Sequence, residues 1–133
     1  MRRVIFILVP LLAACDAWFF RQIDIASQTL AVTSSLDGAI EVIKKQAAEL
    51  ELPCQQSGPV TIQCYRQPVR IWSVPTEKGV FVCYYAMGAP FERSKNERRI
   101  AALEKSLVEK FGASAVSSQE KVCPPPPAGW IAS

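Results

Sequence analysis

Residues 4 to 14 constrain this chain most. Val4 to Ala14 is an unbroken apolar run of eleven residues behind the paired cations Arg2 and Arg3. A basic start, a short apolar run and small residues at its end have the dimensions of a secretory signal. The run falls short of the ~20 residues that cross a bilayer as a helix. Two arginines ahead of it hold the N-terminus on the cytoplasmic side. Residues 21 to 133 are therefore expected across the membrane, outside the cytoplasm. Any core must be built without the apolar residues of that first stretch.

Leu12-Ala13-Ala14-Cys15 closes the run. An aliphatic residue and two small residues before cysteine resemble the lipobox of bacterial lipoproteins. The resemblance covers residues 1 to 15 and no family is suggested for the domain beyond. It implies removal of residues 1 to 14, a diacylglycerol on the Cys15 thiol, and acylation of the new amino group. Each buried methylene contributes ~0.8 kcal/mol, so two or three chains anchor lastingly where one is marginal. In enteric lipoproteins, aspartate in the place of Asp16 resembles a mark for inner-membrane retention, but inner and outer membrane both stay open. Two other outcomes are weighed. Val4 to Phe20, seventeen residues, would make a short uncleaved anchor, against which Pro10 and Asp16 count. A signal cut at another site is the second.

With 133 residues, one domain is expected. There are 15 basic and 12 acidic residues, for a formal charge of +3. Without Arg2 and Arg3 the balance is 13 to 12, or +1, so charge makes no case for a nucleic-acid partner. Histidine is absent, which removes the commonest general base and metal ligand. No cofactor and no metal is expected.

Trp18, Phe19 and Phe20 suit either the headgroup zone, with Arg21 on lipid phosphate, or the start of a helix packed on the domain. Residues 15–33 read as the lipidated N-terminus and a linker with partial helical character. Ile25, Val32, Leu36, Ile40, Ile43, Ala47 and Leu50 keep helical spacing, but Thr29, Thr33, Ser34 and Ser35 are poor helix formers. From Ser34 or Ser35, either able to cap, a helix carries the stripe Leu36, Ile40, Ile43, Ala47 and Leu50 until Pro53 stops it. Gln55 to Pro59 is turn chemistry. Three strands follow, at Val60–Tyr65, Val69–Val74 and Val80–Met87, with Gly79 in the last connection. Val80 to Met87 is apolar on both faces and belongs centrally in the sheet.

Ser94 to Glu97 has capping-box spacing before a second helix faced with Ile100, Leu103, Leu107 and Phe111 and stopped at Gly112. The expected fold is α+β: helix, three-stranded antiparallel sheet, helix, in two layers with both helices on one face. The globular domain spans residues 34–123. Residues 124–133 form an extended tail through Pro124–Pro127.

With Cys15 assigned to lipid, Cys54, Cys64, Cys83 and Cys123 remain. An even number in a small exported domain reads as two disulfides. Of the three pairings, Cys54–Cys64 and Cys83–Cys123 are favoured, tying helix one to the first strand and the tail to the central strand. Loop closure gives them ~3 and ~4 kcal/mol. No Cys-x-x-Cys pair is present, which argues against zinc and thioredoxin-like work.

Candidate contact residues fall in two groups. Tyr65 and Trp72 are expected exposed on the open sheet face with Arg66 and Arg70, an aromatic-basic platform. Arg93, Lys95, Arg98 and Arg99 cluster at the start of helix two and suit lipid headgroups, an acidic glycan or a protein partner. Tyr84 and Tyr85 read as core or cross-strand pairs, and the tetraproline as a polyproline ligand or a stiff end. No catalytic constellation emerges; Asp24, Asp37, Glu77 and Glu92 are scattered. The functional expectation is a membrane-anchored envelope lipoprotein, a non-catalytic binding or structural module facing the periplasm, with an envelope protein as possible partner. Two alternatives are a small envelope hydrolase acting on wall or glycan with carboxylates, and an uncleaved single-span protein in a multiprotein envelope complex.

Overall fold

The stretch after the apolar run alternates rather than spirals. Phe19, Arg21, Ile23 and Ile25 fall on one side of a strand, Phe20, Gln22 and Asp24 on the other. The computed structural model describes residues 17–27, 35–88, 90–120 and 123. In it, Ala17–Ala26 is strand β1, and the linker expected over 15–33 does not hold there. Trp18, Phe19 and Phe20 begin a strand, not a helix.

The remaining elements follow in order: helix α1 (Gly38–Glu49), β2 (Cys54–Gln56), β3 (Ile62–Arg66), β4 (Val69–Thr76), β5 (Gly79–Gly88), a 3-10 turn (Pro90–Glu92), helix α2 (Arg93–Phe111) and β6 (Val116–Gln119). The class is α+β. The sheet has six antiparallel strands in the order β2-β3-β4-β5-β1-β6, where three were expected. The three extra strands escaped hydrophobic patterning for separate reasons. β1 carries Arg21 on its inward face, and the charge breaks the apolar alternation until Glu104 of α2 meets it at 3.6 Å. β2, read as part of a turn, is exposed at all three positions, and β6 is nearly so. Edge strands are selected by main-chain pairing, which leaves no hydrophobic trace.

One face of the sheet carries both helices. α1 packs on β3 and β4, and α2 on β1, β5 and β6. Ile40, Ile43 and Ala47 of α1 and Ile100, Leu103, Leu107 and Phe111 of α2 close over Ile23, Ile25, Ile62, Ile71, Val80 and Val82. Lys110 of α2 reaches Glu41 of α1 at 3.0 Å, on the surface, where such a pair contributes little. β5 lies at the centre and is buried on both faces along most of its length.

The helix ends differ from the expected caps. α1 starts after Asp37 and α2 after Glu92, and neither N-cap side chain bonds an amide. Ser94 therefore sits inside the first turn of α2, so the expected capping box does not form. The 3-10 turn over Pro90–Glu92 feeds straight into α2 and sets this earlier start. Gly112 ends α2 at φ 95°, a conformation that glycine adopts freely. A Cβ on Gly79 would overlap the Ile25 carbonyl oxygen, so the β4–β5 turn is glycine's by contact with β1.

Cys54 is bonded to Cys64 and Cys83 to Cys123. The first pair faces directly across β2 and β3, with Cα atoms 4.0 Å apart, so it ties an edge strand rather than a helix end. The second joins the centre of β5 to a residue outside the sheet.

Ile23 tests the strand assignment of β1. Fully buried between β5 and β6, it should cost about 3 kcal/mol when truncated in Ile23→Ala, by lost transfer energy plus the cavity. A linker position would cost nearly nothing. The urea midpoint at constant slope measures it.

Candidate functional site

Pleating sends alternate residues of β1, β3, β4 and β5 to the face away from the helices. Register arranges them in rows. Phe20, Tyr85, Arg70 and Tyr65 make one row, and Gln22, Cys83, Trp72 and Gln63 the next. Asp24, Phe81 and Val74 make a third. Phe20 and Tyr85 meet at a centroid distance of 4.9 Å in a tilted arrangement. The Arg70 guanidinium lies 4.3 Å from the Tyr65 ring centroid, within cation–π range.

The expected platform is thus present in part. Tyr65, Arg70 and Trp72 share this face, and the first two are half-buried. Trp72, expected to be exposed, is only 4% exposed. Arg66 pairs opposite Val69 and so belongs to the helix-bearing side, where it is exposed at the strand end. Sequence reasoning missed Phe20, Gln63 and Phe81 as members of the face. The alternation Ile23-Asp24-Ile25 marks β1 as a strand and would have brought Phe20 with it.

The α2 basic group divides. Arg93 is spent on Glu97 at 2.9 Å and Glu120 at 3.4 Å. Arg99 is half-buried, and its charge acts on the Tyr84 hydroxyl. Lys95 and Arg98 are exposed, and the ion pairs among the described residues use neither. Phe91, 83% exposed, precedes them.

Tyr84 is core, with its ring under the helices. Its hydroxyl donates to Asn96 Oδ1 at 2.7 Å, and Asn96 Nδ2 donates to the Glu92 carbonyl at 3.3 Å. Burial raises the Tyr84 hydroxyl above its ordinary 10.0, with Arg99 opposing. Burial also raises Tyr85, with Arg70 opposing.

A cavity of about 560 Å³ opens where β1 ends and β4 turns into β5. Asp24, Thr76, Glu77, Lys78 and Ser117 line it. Asp24 accepts from Gln22 Nε2 at 3.3 and 3.4 Å. Asp37 and Glu92, the other scattered carboxylates, stand at the starts of α1 and α2, away from this cavity. Among the described residues no group of three metal-ligating side chains comes together. Cys15 and Pro124–Pro127 lie outside the described residues.

Comparison with protein-family models, curated proteins and solved structures finds no match.

The Tyr84–Asn96 bond carries a testable consequence. Tyr84→Phe should lose about 1–2 kcal/mol at neutral pH, because Asn96 keeps its burial without its donor. A raised folded-state value means the folded chain holds this proton more tightly than the unfolded one. That stability is complete below pH 10.0 and drains away as pH climbs through the raised value. Denaturant titrations of wild type and variant should therefore converge as pH rises above 10.0.

Proposed function

We propose that this chain is an envelope lipoprotein, cut before Cys15 and acylated there. Its α+β domain faces the periplasm and acts as a non-catalytic binding or structural module. One observation carries the reading: the lipobox cysteine stands two residues before the first strand of a disulfide-bonded domain. Two disulfides suit an oxidising compartment. β1 takes residues 17–20 into the sheet, leaving Val4 to Asp16, thirteen residues, where a helical span needs ~20. That shortfall counts against the uncleaved anchor. Among the described residues, no helix is long and apolar enough to cross a membrane.

The same arithmetic sets how such a domain would sit. Two residues reach roughly 7 Å, so no spacer separates an acylated Cys15 from the sheet. Ala17 pairs with Gly88, and the chain runs from Gly88 through exposed Phe91 to Lys95 and Arg98. Arg66 ends β3 at the same end of the sheet, since Val69 pairs with both Arg66 and Ala86. An exposed aromatic among free cations suits the headgroup zone of an acidic bilayer.

Labelled palmitate tests the anchor. Incorporation into wild type and its loss in Cys15→Ser are expected, with a mature chain that begins at Cys15. Label that persists in Cys15→Ser, or a mature chain that keeps Met1, removes the proposal.

A second reading has one observation behind it: Asp24 and Glu77 line a single cavity. A carboxylate hydrolase of wall or glycan needs two such groups with room for substrate between them. Under that reading, Asp24→Asn and Glu77→Gln would each abolish glycan release from purified cell wall while leaving the thermal midpoint in place. Absence of any release by wild type would dispose of it.

A further inference from the structure

The middle of the sheet's second face is buried without a described helix to bury it. Trp72 is 4% exposed and Phe81 2%, while α1 and α2 both pack on the opposite face. The cluster on this face joins Trp72, Phe81, Cys83, Phe20, Val74, Tyr85 and Cys123, and Cys123 is the one member that belongs to no strand. It arrives through its bond to Cys83, in the middle of the face.

The burial is one-sided. Along the row that contains Cys83, Gln22 toward β1 is half-buried. Toward β4 and β3, Trp72 and Gln63 are 4% and 5% exposed. The burial therefore deepens from Cys83 toward β4 and β3. Unfilled valences lie there too. Trp72 Nε1 and Arg70 Nε are buried donors without an acceptor, and Gln63 Oε1 is a buried acceptor without a donor. Buried polar atoms left so are costly and call for a partner.

We propose that the occupant is this chain's own C-terminal segment, residues 124–133, with Pro124–Pro127 laid across Trp72 as a polyproline II strand. Aromatic-lined surfaces recognise such segments because the helix is preformed and little entropy is lost on docking. The donor count agrees. Prolines offer carbonyls and no N–H, which matches the two orphaned donors and sets no unpaired amide against the apolar rings. The first N–H after Cys123 belongs to Ala128, and Gln63 Oε1 waits for one. Reach agrees as well. From Cys123 to Ala128 is roughly 15 Å of polyproline, and Gln63 lies two strand spacings, about 10 Å, from Cys83. The aromatic-basic platform is then a proline-recognition surface filled by its own chain. This assignment stands independently of the lipid anchor.

The test uses the full, oxidised chain. Ala128→p-benzoylphenylalanine is irradiated and the products are mapped by mass spectrometry. Capture of β3 or β4 peptides within the same chain is the expected result. Capture of a second copy or of any other element, or solvent-quenched product alone, overturns the assignment. A second arm replaces the prolines. In a Trp18→Phe, Trp130→Phe background, acrylamide quenching of Trp72 should rise severalfold when Pro124–Pro127 are changed to serine. Unchanged quenching, with the disulfides and circular dichroism intact, also overturns it.

Discussion

The pairing of β1 with β5 over ten consecutive residues organises the rest of the molecule. It places β1 inside the sheet, so that β6 has a strand to bond, and α2 must cross the face to deliver it. It encloses β5 between two long neighbours, which is why β5 tolerates apolar side chains on both faces. The same pairing brings the Ile25 carbonyl against Gly79 and fixes the register from the turn end. Arg21, an otherwise unfavourable inward charge, is accommodated because α2 presents Glu104 to it.

The two faces of the sheet are closed by different means. Helices supply one core through the ordinary apolar stripe, and its members interlock across α1, α2 and four strands. The other face has an aromatic row, a stacked arginine and a disulfide planted at its centre. Among the described residues, Arg21 Nε lacks a hydrogen-bond partner on the helix-bearing face, while Trp72 Nε1, Arg70 Nε and Gln63 Oε1 lack one together on the other. That clustering of three is the physical basis for reading the face as a recognition surface.

The ends of the sheet also differ. At one, Ala17, Gly88, Phe91 and the exposed cations of α2 gather. At the other, β1 ends beside Glu77 and Lys78, with Asp24 and Ser117 facing the cavity. β1 has ten residues, so the ends are roughly 30 Å apart. A domain held by an acyl group at Cys15 would present the first end to lipid and leave the second in the periplasm.

Much of this was legible in sequence. Helical stripes in α1 and α2 follow from the 3.6-residue period, and β3, β4 and β5 from alternation and turn residues. Local chemistry determined those features. The even count of cysteines implied two disulfides and left three pairings, of which the favoured one is formed, the choice being made by the fold. Only the tertiary structure decided that residues 17–26 are a strand, because Ile23 and Ile25 acquire their meaning from β5 and α2, far along the chain. It alone buried Trp72, moved Arg66 to the other face, committed Arg93 to Glu97 and bonded Tyr84 to Asn96. Exposure and partnership depend on what other segments bring to a residue, and one-dimensional spacing does not carry that information.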